Sequence, residues 1–290
     1  MNLSVVIATK GRPDDLRQTL GSLSAANPPP YEVIVVDGDP DHSAERVAAA
    51  NAAHLPALSY FSSPAGLTVQ RNRGLEAVAG EVVVFLDDDV EVDPGLFGAL
   101  ARAYEETKVV GATGRVVEAA PRRFGNKRSL ARRMLFRGEE GTMTRFGYPR
   151  RLQTTDVERD VEFMQGCLMS ARRDVALRLG FDEALPGYAL AEDEDFSYRL
   201  SRAGRIRYLP EAVVWHKNTG MRSSAIRGFN RDTVVNRTYL FRKNFERTVL
   251  ARLQFTGMVL VLMAHRAANG EWSGVRGLID GSVEAWKSRR

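Results

Sequence analysis

Three runs of nearly continuous β-branched and apolar residues dominate the start of the chain: Leu3–Ala8, Glu32–Val36 and Glu81–Leu86. A strand with one wet face alternates apolar and polar residues, so an unbroken run needs cover on both faces. Between the first two runs, Leu16, Leu20 and Leu23 recur at helical spacing behind Pro13, and Pro28-Pro29-Pro30 closes the segment. A weaker run, Leu58–Phe61, and a helical stretch over 68–79 ending at Gly80 precede the third. Strand, helix, strand in repetition predicts a right-handed, mostly parallel sheet with helices on both faces, a Rossmann-like α/β architecture. Ligands of such sheets gather at the carboxyl ends of the strands.

The pattern loosens over 118–160, where arginines, glycines and turn residues prevail, and this stretch is expected to be an insertion or flap rather than packed core. Order returns at Val161–Ala171, followed by a short helix ended by Gly180 and a stronger one over 192–203 stopped by Gly204. Strand-like Ile206–Leu209 and Val213–Trp215 flank Pro210, and helices fill the chain from about 222. The expected division is one α/β domain over 1–220, in which 1–117, an insertion at 118–160 and 161–220 are distinct parts, and a helical region over 221–290.

A hydrophobic content of 44% with 27% charged residues is ordinary for a soluble globular protein. With Cys167 as the single cysteine no internal disulfide can form, which points to a reducing, cytoplasmic setting. Met1-Asn2-Leu3-Ser4 runs straight into a strand without a signal-type apolar core, so export is not expected. The net charge of +5 suggests an anionic partner. Much of it lies in Arg122, Arg123, Lys127, Arg128, Arg132, Arg133 and Arg137, followed by Arg145, Arg150 and Arg151. These arginines lack the interleaved aromatics of a nucleic-acid stacking platform, so nucleic acid is not expected as a partner. Leu253–Ala264 is apolar apart from Gln254 and Thr256 but far short of the roughly 20 residues that span a bilayer. It suits either a core helix or one lying in a membrane interface. Arg242, Lys243, Arg247, Arg252 and Arg289-Arg290 around it would serve a peripheral contact with an anionic membrane.

Chemistry concentrates at strand ends. Asp87, Asp88 and Asp89 directly follow the third run, and three adjacent carboxylates repel one another unless something positive shares the site. A hard divalent ion, Mg²⁺ or Mn²⁺, does so through oxygen ligands and leaves room for phosphate. Asp37 ends the second run and could accept hydrogen bonds from a base or ribose. Gln70-Arg71-Asn72-Arg73-Gly74 opens a helix, where positive side chains and free N–H groups suit a nucleotide phosphate. Glu192-Asp193-Glu194-Asp195 opens another, after a loop containing Gly187; acidic residues favour a helix start for dipole reasons, and one of them could be a base aimed at a hydroxyl. His216 becomes a third metal ligand if the fold brings it to the acidic triplet.

In this order the segments resemble the family 2 glycosyltransferases of the GT-A fold. The matching stretches are Val5–Arg12, Glu32–Asp37, Arg71–Gly74 and Phe85–Asp89, then Gly166 with Arg172-Arg173, Gly180–Glu183, and Glu192–Phe196 through Arg199-Leu200, Gly204, Pro210 and His216. The resemblance implies a nucleotide-binding half over 1–117 and an acceptor half over 161–220. It implies that Asp37 and Arg71 contact the base with Thr9, Lys10 and Arg12 in the nearby loop, and that Asp87 and Asp88 lie at the nucleotide. Asp89, Asp87 and His216 would hold the metal. Asp193 would be the catalytic base, with Glu192, Asp195 and Gly166 on the acceptor side. The implied reaction is inverting transfer from a nucleoside-diphosphate sugar to a hydroxyl of a glycan or lipid-linked acceptor. A nucleotidyltransferase, the main rival, would need a longer glycine-rich first loop than Thr9-Lys10-Gly11-Arg12.

Overall fold

The computed structural model describes residues 1–118, 135–152, 155–185, 189–217 and 225–288. Two compact units are present: Met1–Pro121 with Leu152–Asn218, and Arg122–Arg151 with Thr219–Arg290. The basic run at Arg122–Arg133, the loop at Gly187 and the terminal Arg289-Arg290 lie outside the described residues.

The first unit is an α/β sheet. Strands β1 (Leu3–Thr9), β2 (Glu32–Asp37), β3 (Leu58–Ser62) and β4 (Val82–Asp87) alternate with helices α1 (Pro13–Ser24), α2 (Glu45–Asn51) and α3 (Leu67–Ala77). β5 (Val90–Val92), α4 (Leu96–Ala103), β6 (Val109–Glu118), β7 (Arg159–Val161), β8 (Leu168–Arg172), α5 (Arg173–Leu179), α6 (Glu192–Ala203) and β9 (Arg205–His216) follow. Strand order is β3-β2-β1-β4-β8-β6-β9-β5, with β7 beside β9. The β3-β2-β1-β4 half is parallel, as the sequence predicts. Beyond β4 the ladders are antiparallel except for β6 with β9, so the whole sheet is mixed.

The continuous apolar runs fill two cores at once. Val5, Ile7, Val33, Val35, Val82, Val84 and Leu86 pack with α1 and α4 through Leu16, Leu20, Leu23 and Leu100. The intervening Val6, Ile34, Val36, Val83 and Phe85 pack on the other face with Leu75, Val175, Phe196 and Leu200. This alternation is why no position in these strands tolerates a charge until the strand ends. There the register aligns Ala8 with Asp87 and Thr9 with Asp37, so the polar ends of three strands arrive side by side.

Pro210 does not separate two strands. β9 continues through it by a bulge, where the pairing skips from Leu209 opposite Gly114 to Val213 opposite Arg115. The extra residues fold over Gly114, whose Cβ, if it had one, would stand 1.8 Å from the Ala212 carbonyl oxygen. Proline, with no N–H to give a ladder, is at home in such a bulge.

In the second unit, helices α7 (Ile226–Asn244), α8 (Val249–Ala268) and α9 (Trp272–Lys287) enclose a small core. The described part of the insertion is not a loose flap. Thr142–Arg150 forms a tight reverse turn in which Arg150 accepts from Gly141 N–H at 2.7 Å and donates to the Thr142 carbonyl at 2.8 Å. It delivers Phe146, 1% exposed, into the same core as Val234, Phe241 and Met258. The turn residues that made the stretch read as irregular create a place to bury an aromatic ring.

Gly74 marks the closest approach of α3 to the sheet: a Cβ there would lie 2.3 Å from Val6 Cγ1. Gly74→Ala is expected to destabilise the fold by about 1–3 kcal/mol through overpacking, read as a lower urea midpoint with unchanged slope.

Candidate active site

The adjacent aspartates at the end of β4 have three different environments. Asp87, the last residue of the strand, is partly exposed and accepts from Arg71 at 3.0 Å. Asp88 turns inward, where its carboxylate accepts from Thr9 Oγ1 at 2.7 Å and pairs with Arg12 at 3.0 Å. Burial pushes the Asp88 carboxyl up to about 7 against the pull of that hydroxyl and guanidinium. Asp88 therefore braces the β1–α1 loop, and Thr9 is buried with it. Asp89 receives Arg12 on one oxygen at 2.8 Å and His216 Nε2 on the other at 3.2 Å. Burial would raise its pKa, but these hydrogen bonds win and hold it down to about 2.

Asp87, Asp89 and His216 each offer a ligand atom within 4.8 Å of the other two. His216 closes β9 opposite Val90, three residues beyond the end of β4, and this pairing brings it to the triplet although it lies 127 positions beyond Asp89 in the chain. Its Nδ1 lies 3.3 Å from Glu118 Oε2 without a hydrogen-bonding alignment, leaving a buried ring nitrogen unsatisfied. Two carboxylate oxygens and an imidazole nitrogen suit a Mn²⁺-type ion, with Mg²⁺ preferring oxygen alone. Glu118, at the end of β6, escaped the sequence reading: no acidic cluster surrounds it, and only the parallel pairing of Glu118 with His216 reveals it.

Arg71 is the largest fully buried side chain among the described residues. Its guanidinium donates to Glu192 Oε1 at 2.7 Å, to Asp87 at 3.0 Å and to the Gly166 carbonyl at 2.8 Å, and it lies over the Phe181 ring at 5.3 Å. With these partners and 1% exposure it acts as a tie between β4 and the start of α6. Asp37 is likewise fully buried. Its oxygens accept from the Asp39 and Ala44 amides at 2.8 and 3.1 Å and from Tyr60 Oη at 3.2 Å, so it shapes the β2–α2 loop. Lys10 stands exposed at the end of β1.

On the other side of Arg71, α6 begins after Ala191, which has φ of +76°, a left-handed conformation unfavourable to alanine. Asp193, half-buried, accepts from the Gly166 amide at 3.2 Å and from the Glu194 amide at 2.9 Å. A Cβ at Gly166 would stand 3.2 Å from Glu192 and 3.4 Å from Asp193, so glycine lets the loop approach both acids. Burial, with Asp193 beside it, pushes Glu192 upward against the pull of Arg71. Asp195 is 2% exposed and pairs with Arg199 at 2.7 Å, one turn along the helix. Arg199 in turn caps the carbonyls of Leu179 and Gly180 at the end of α5.

A sequence profile described as glycosyl transferase family 2 matches residues 4–180. The chain belongs to that family. Two curated glycosyltransferases, both called uncharacterized, resemble this family 2 enzyme. YwdF of Bacillus subtilis (strain 168) is 26% identical over 245 residues, which is 82% of each chain. YibD of Escherichia coli (strain K12) is 37% identical over 101 residues, 34% of this chain and 29% of that protein. Among solved structures, a mannosyltransferase from Pyrobaculum calidifontis in complex with GDP-Man and Mn²⁺ superposes with a TM-score of 0.63 at 15% identity, covering 100% of this chain and 88% of the other. GalNAc-T7 with UDP, GalNAc and Mn²⁺ gives 0.59 at 18% identity, covering 81% of this chain and 48% of the other. S. aureus TarS (1–349) gives 0.54 at 16% identity, covering 100% and 93%. The fold of this glycosyltransferase is GT-A, with C-terminal helices.

Removing Arg71 leaves Glu192 and Asp87 without their shared counter-charge in a buried setting. Arg71→Met is expected to lower stability by about 3–5 kcal/mol. Denaturant unfolding beside Lys217→Met, whose ion pair with Asp15 is half-exposed, checks it; the latter should cost no more than about 1 kcal/mol.

Proposed function

We propose that this enzyme moves a sugar from a nucleoside-diphosphate sugar to an acceptor hydroxyl by a single displacement that inverts the anomeric centre. The observation that carries the reading is the tie made by Arg71. It joins one member of a three-ligand metal cluster, Asp87, to the turn that presents Asp193. A donor held at the first and an acceptor activated at the second would meet across one guanidinium.

Asp87, Asp89 and His216 would hold a divalent ion, for which the Mn²⁺ in the P. calidifontis and GalNAc-T7 complexes is a supporting parallel. When bound, it supplies Lewis-acid neutralisation of the charge on the departing diphosphate. Lys10 and Arg12, at the mouth of the β1–α1 loop, add positive charge where phosphates would lie. Asp193 takes the proton of the acceptor hydroxyl. That oxygen forms a bond to the anomeric carbon while the bond from this carbon to the diphosphate oxygen breaks, and the nucleoside diphosphate leaves with the electron pair. Gly166 N–H and Glu194 N–H orient the Asp193 carboxylate from two sides. Glu192, committed to Arg71, is the positioning acid beside it. The acceptor is a glycan or a lipid-linked sugar.

Asp193→Asn keeps the amide contacts but removes the base. Turnover, followed as release of nucleoside diphosphate, should fall by about 10²–10⁴-fold with donor affinity preserved; unimpaired turnover would contradict the assignment.

Asp89 holds the His216 ring, against the opposing effect of burial, protonated above the usual imidazole range. A metal must displace that proton, whereas Asp89 at about 2 stays ionised throughout the neutral range. Mn²⁺ affinity measured by calorimetry should therefore strengthen as pH rises through the His216 transition. His216→Ala should bind Mn²⁺ more weakly and with a flatter pH dependence.

A further inference from the structure

Charge is segregated between the two units. Of the 41 basic and 36 acidic residues in the chain, 23 basic and only 7 acidic ones fall within Arg122–Arg151 and Thr219–Arg290. The second unit thus carries a large positive excess, and the α/β unit, with 18 basic and 29 acidic residues, is acidic.

The same basic unit turns apolar side chains outward. On α9, Trp272, Ile279, Val283 and Trp286 are 63, 48, 47 and 83% exposed. Their spacing of seven, four and three residues places them on one helical stripe, shared with the exposed Arg276 and bordered by Lys287. The inward face of this helix is made of small residues, Gly274, Gly277, Gly281 and Ala285, around Leu278. A Cβ at Gly277 would lie 2.2 Å from the Arg227 carbonyl oxygen, and one at Gly281 2.5 Å from that of Arg231, both on α7. Glycine is thus packed inside and tryptophan stands outside, the reverse of a helix that faces water. On α8, Val249, Leu253 and Leu260 are 76, 65 and 59% exposed, again along one stripe, with Arg252 beside Leu253.

We propose that the outward faces of α8 and α9 are a docking surface for an anionic lipid bilayer. Basic charge alone would fit any polyanion. The exposed tryptophans and aliphatic side chains add an apolar insertion that a polyanion cannot satisfy and an interfacial lipid layer can. No helix among the described residues is long and apolar enough to cross a membrane, so the contact lies in the headgroup plane. This reading stands apart from the transfer chemistry: it needs no donor, metal or acceptor.

The test is co-sedimentation of the full chain with phosphatidylcholine vesicles, with and without phosphatidylglycerol. Binding to the anionic vesicles alone, weakened by roughly 0.5 M salt, is expected. Trp272→Ala with Trp286→Ala, both at exposed positions, should weaken it by about tenfold or more with the melting temperature unchanged. Arg276→Glu with Lys287→Glu should weaken it similarly. Equal binding by the tryptophan variant, equal binding to neutral vesicles, capture of polyphosphate or RNA without any lipid binding, or self-association that hides the tryptophans without lipid binding would each overturn the proposal. Mn²⁺ and donor binding, measured on the same variants, should not change, which separates a failure here from a failure of the transferase reading.

Discussion

A buried positive charge organises this molecule. The Arg71 guanidinium is out of water, and burying a charge is tolerable only where its hydrogen bonds and counter-charges are complete. Here they come from three separate places in the chain: Asp87 at the end of β4, Glu192 at the start of α6, and the carbonyl of Gly166 before β8. Asp87 belongs to the candidate metal cluster, and Glu192 and Gly166 both lie beside Asp193. The electrostatic requirement of one arginine thereby fixes the distance between the acidic cluster and the α6 carboxylates. Phe181, under the guanidinium and in edge contact with Phe85, joins that requirement to the apolar core.

The aspartate triplet illustrates how little adjacency says about role. Successive residues at a strand end point in different directions, and here each direction meets a different counter-charge. Asp87 meets Arg71, Asp88 meets Thr9 and Arg12, and Asp89 meets Arg12 and His216. Arg12 is shared by two of them, so the β1–α1 loop is held by the acids it partly neutralises. Burial raises Asp87 and Asp88, whereas Asp89, facing the histidine, is held low.

The parallel half of the sheet was legible because continuous Val and Ile runs have one structural meaning when helical patterns separate them. The end of β4 and the start of α6 were legible for the same reason: strand and helix boundaries carry charge in recognisable places. What the sequence did not disclose were contacts made across the sheet by single residues. Glu118 reaches His216 only because β6 runs parallel to β9, and Arg71 is tied to the Gly166 carbonyl from a loop far away in sequence. Asp195 read as part of an acidic cluster, yet helix geometry turns it toward Arg199, one turn on. The 135–151 stretch looked irregular because its order comes from a reverse turn and a few aromatic rings, which leave no periodicity to detect.

The bulge in β9 has a consequence for face and parity. Before it, Ile206 and Tyr208 belong to the core on one side of the sheet; after it, Ala212 and Val214 belong to the core on the other. Both sets are even-numbered, so the odd count of extra residues around Pro210 inverts which positions look which way. His216 shares its parity with Val214 and pairs with Val90, of that same core. A continuous strand with one of these residues removed would keep its histidine but present that imidazole to the other side of the sheet. The composition of the candidate metal cluster is thus set by an arithmetic of strand residues several positions away from any of its members.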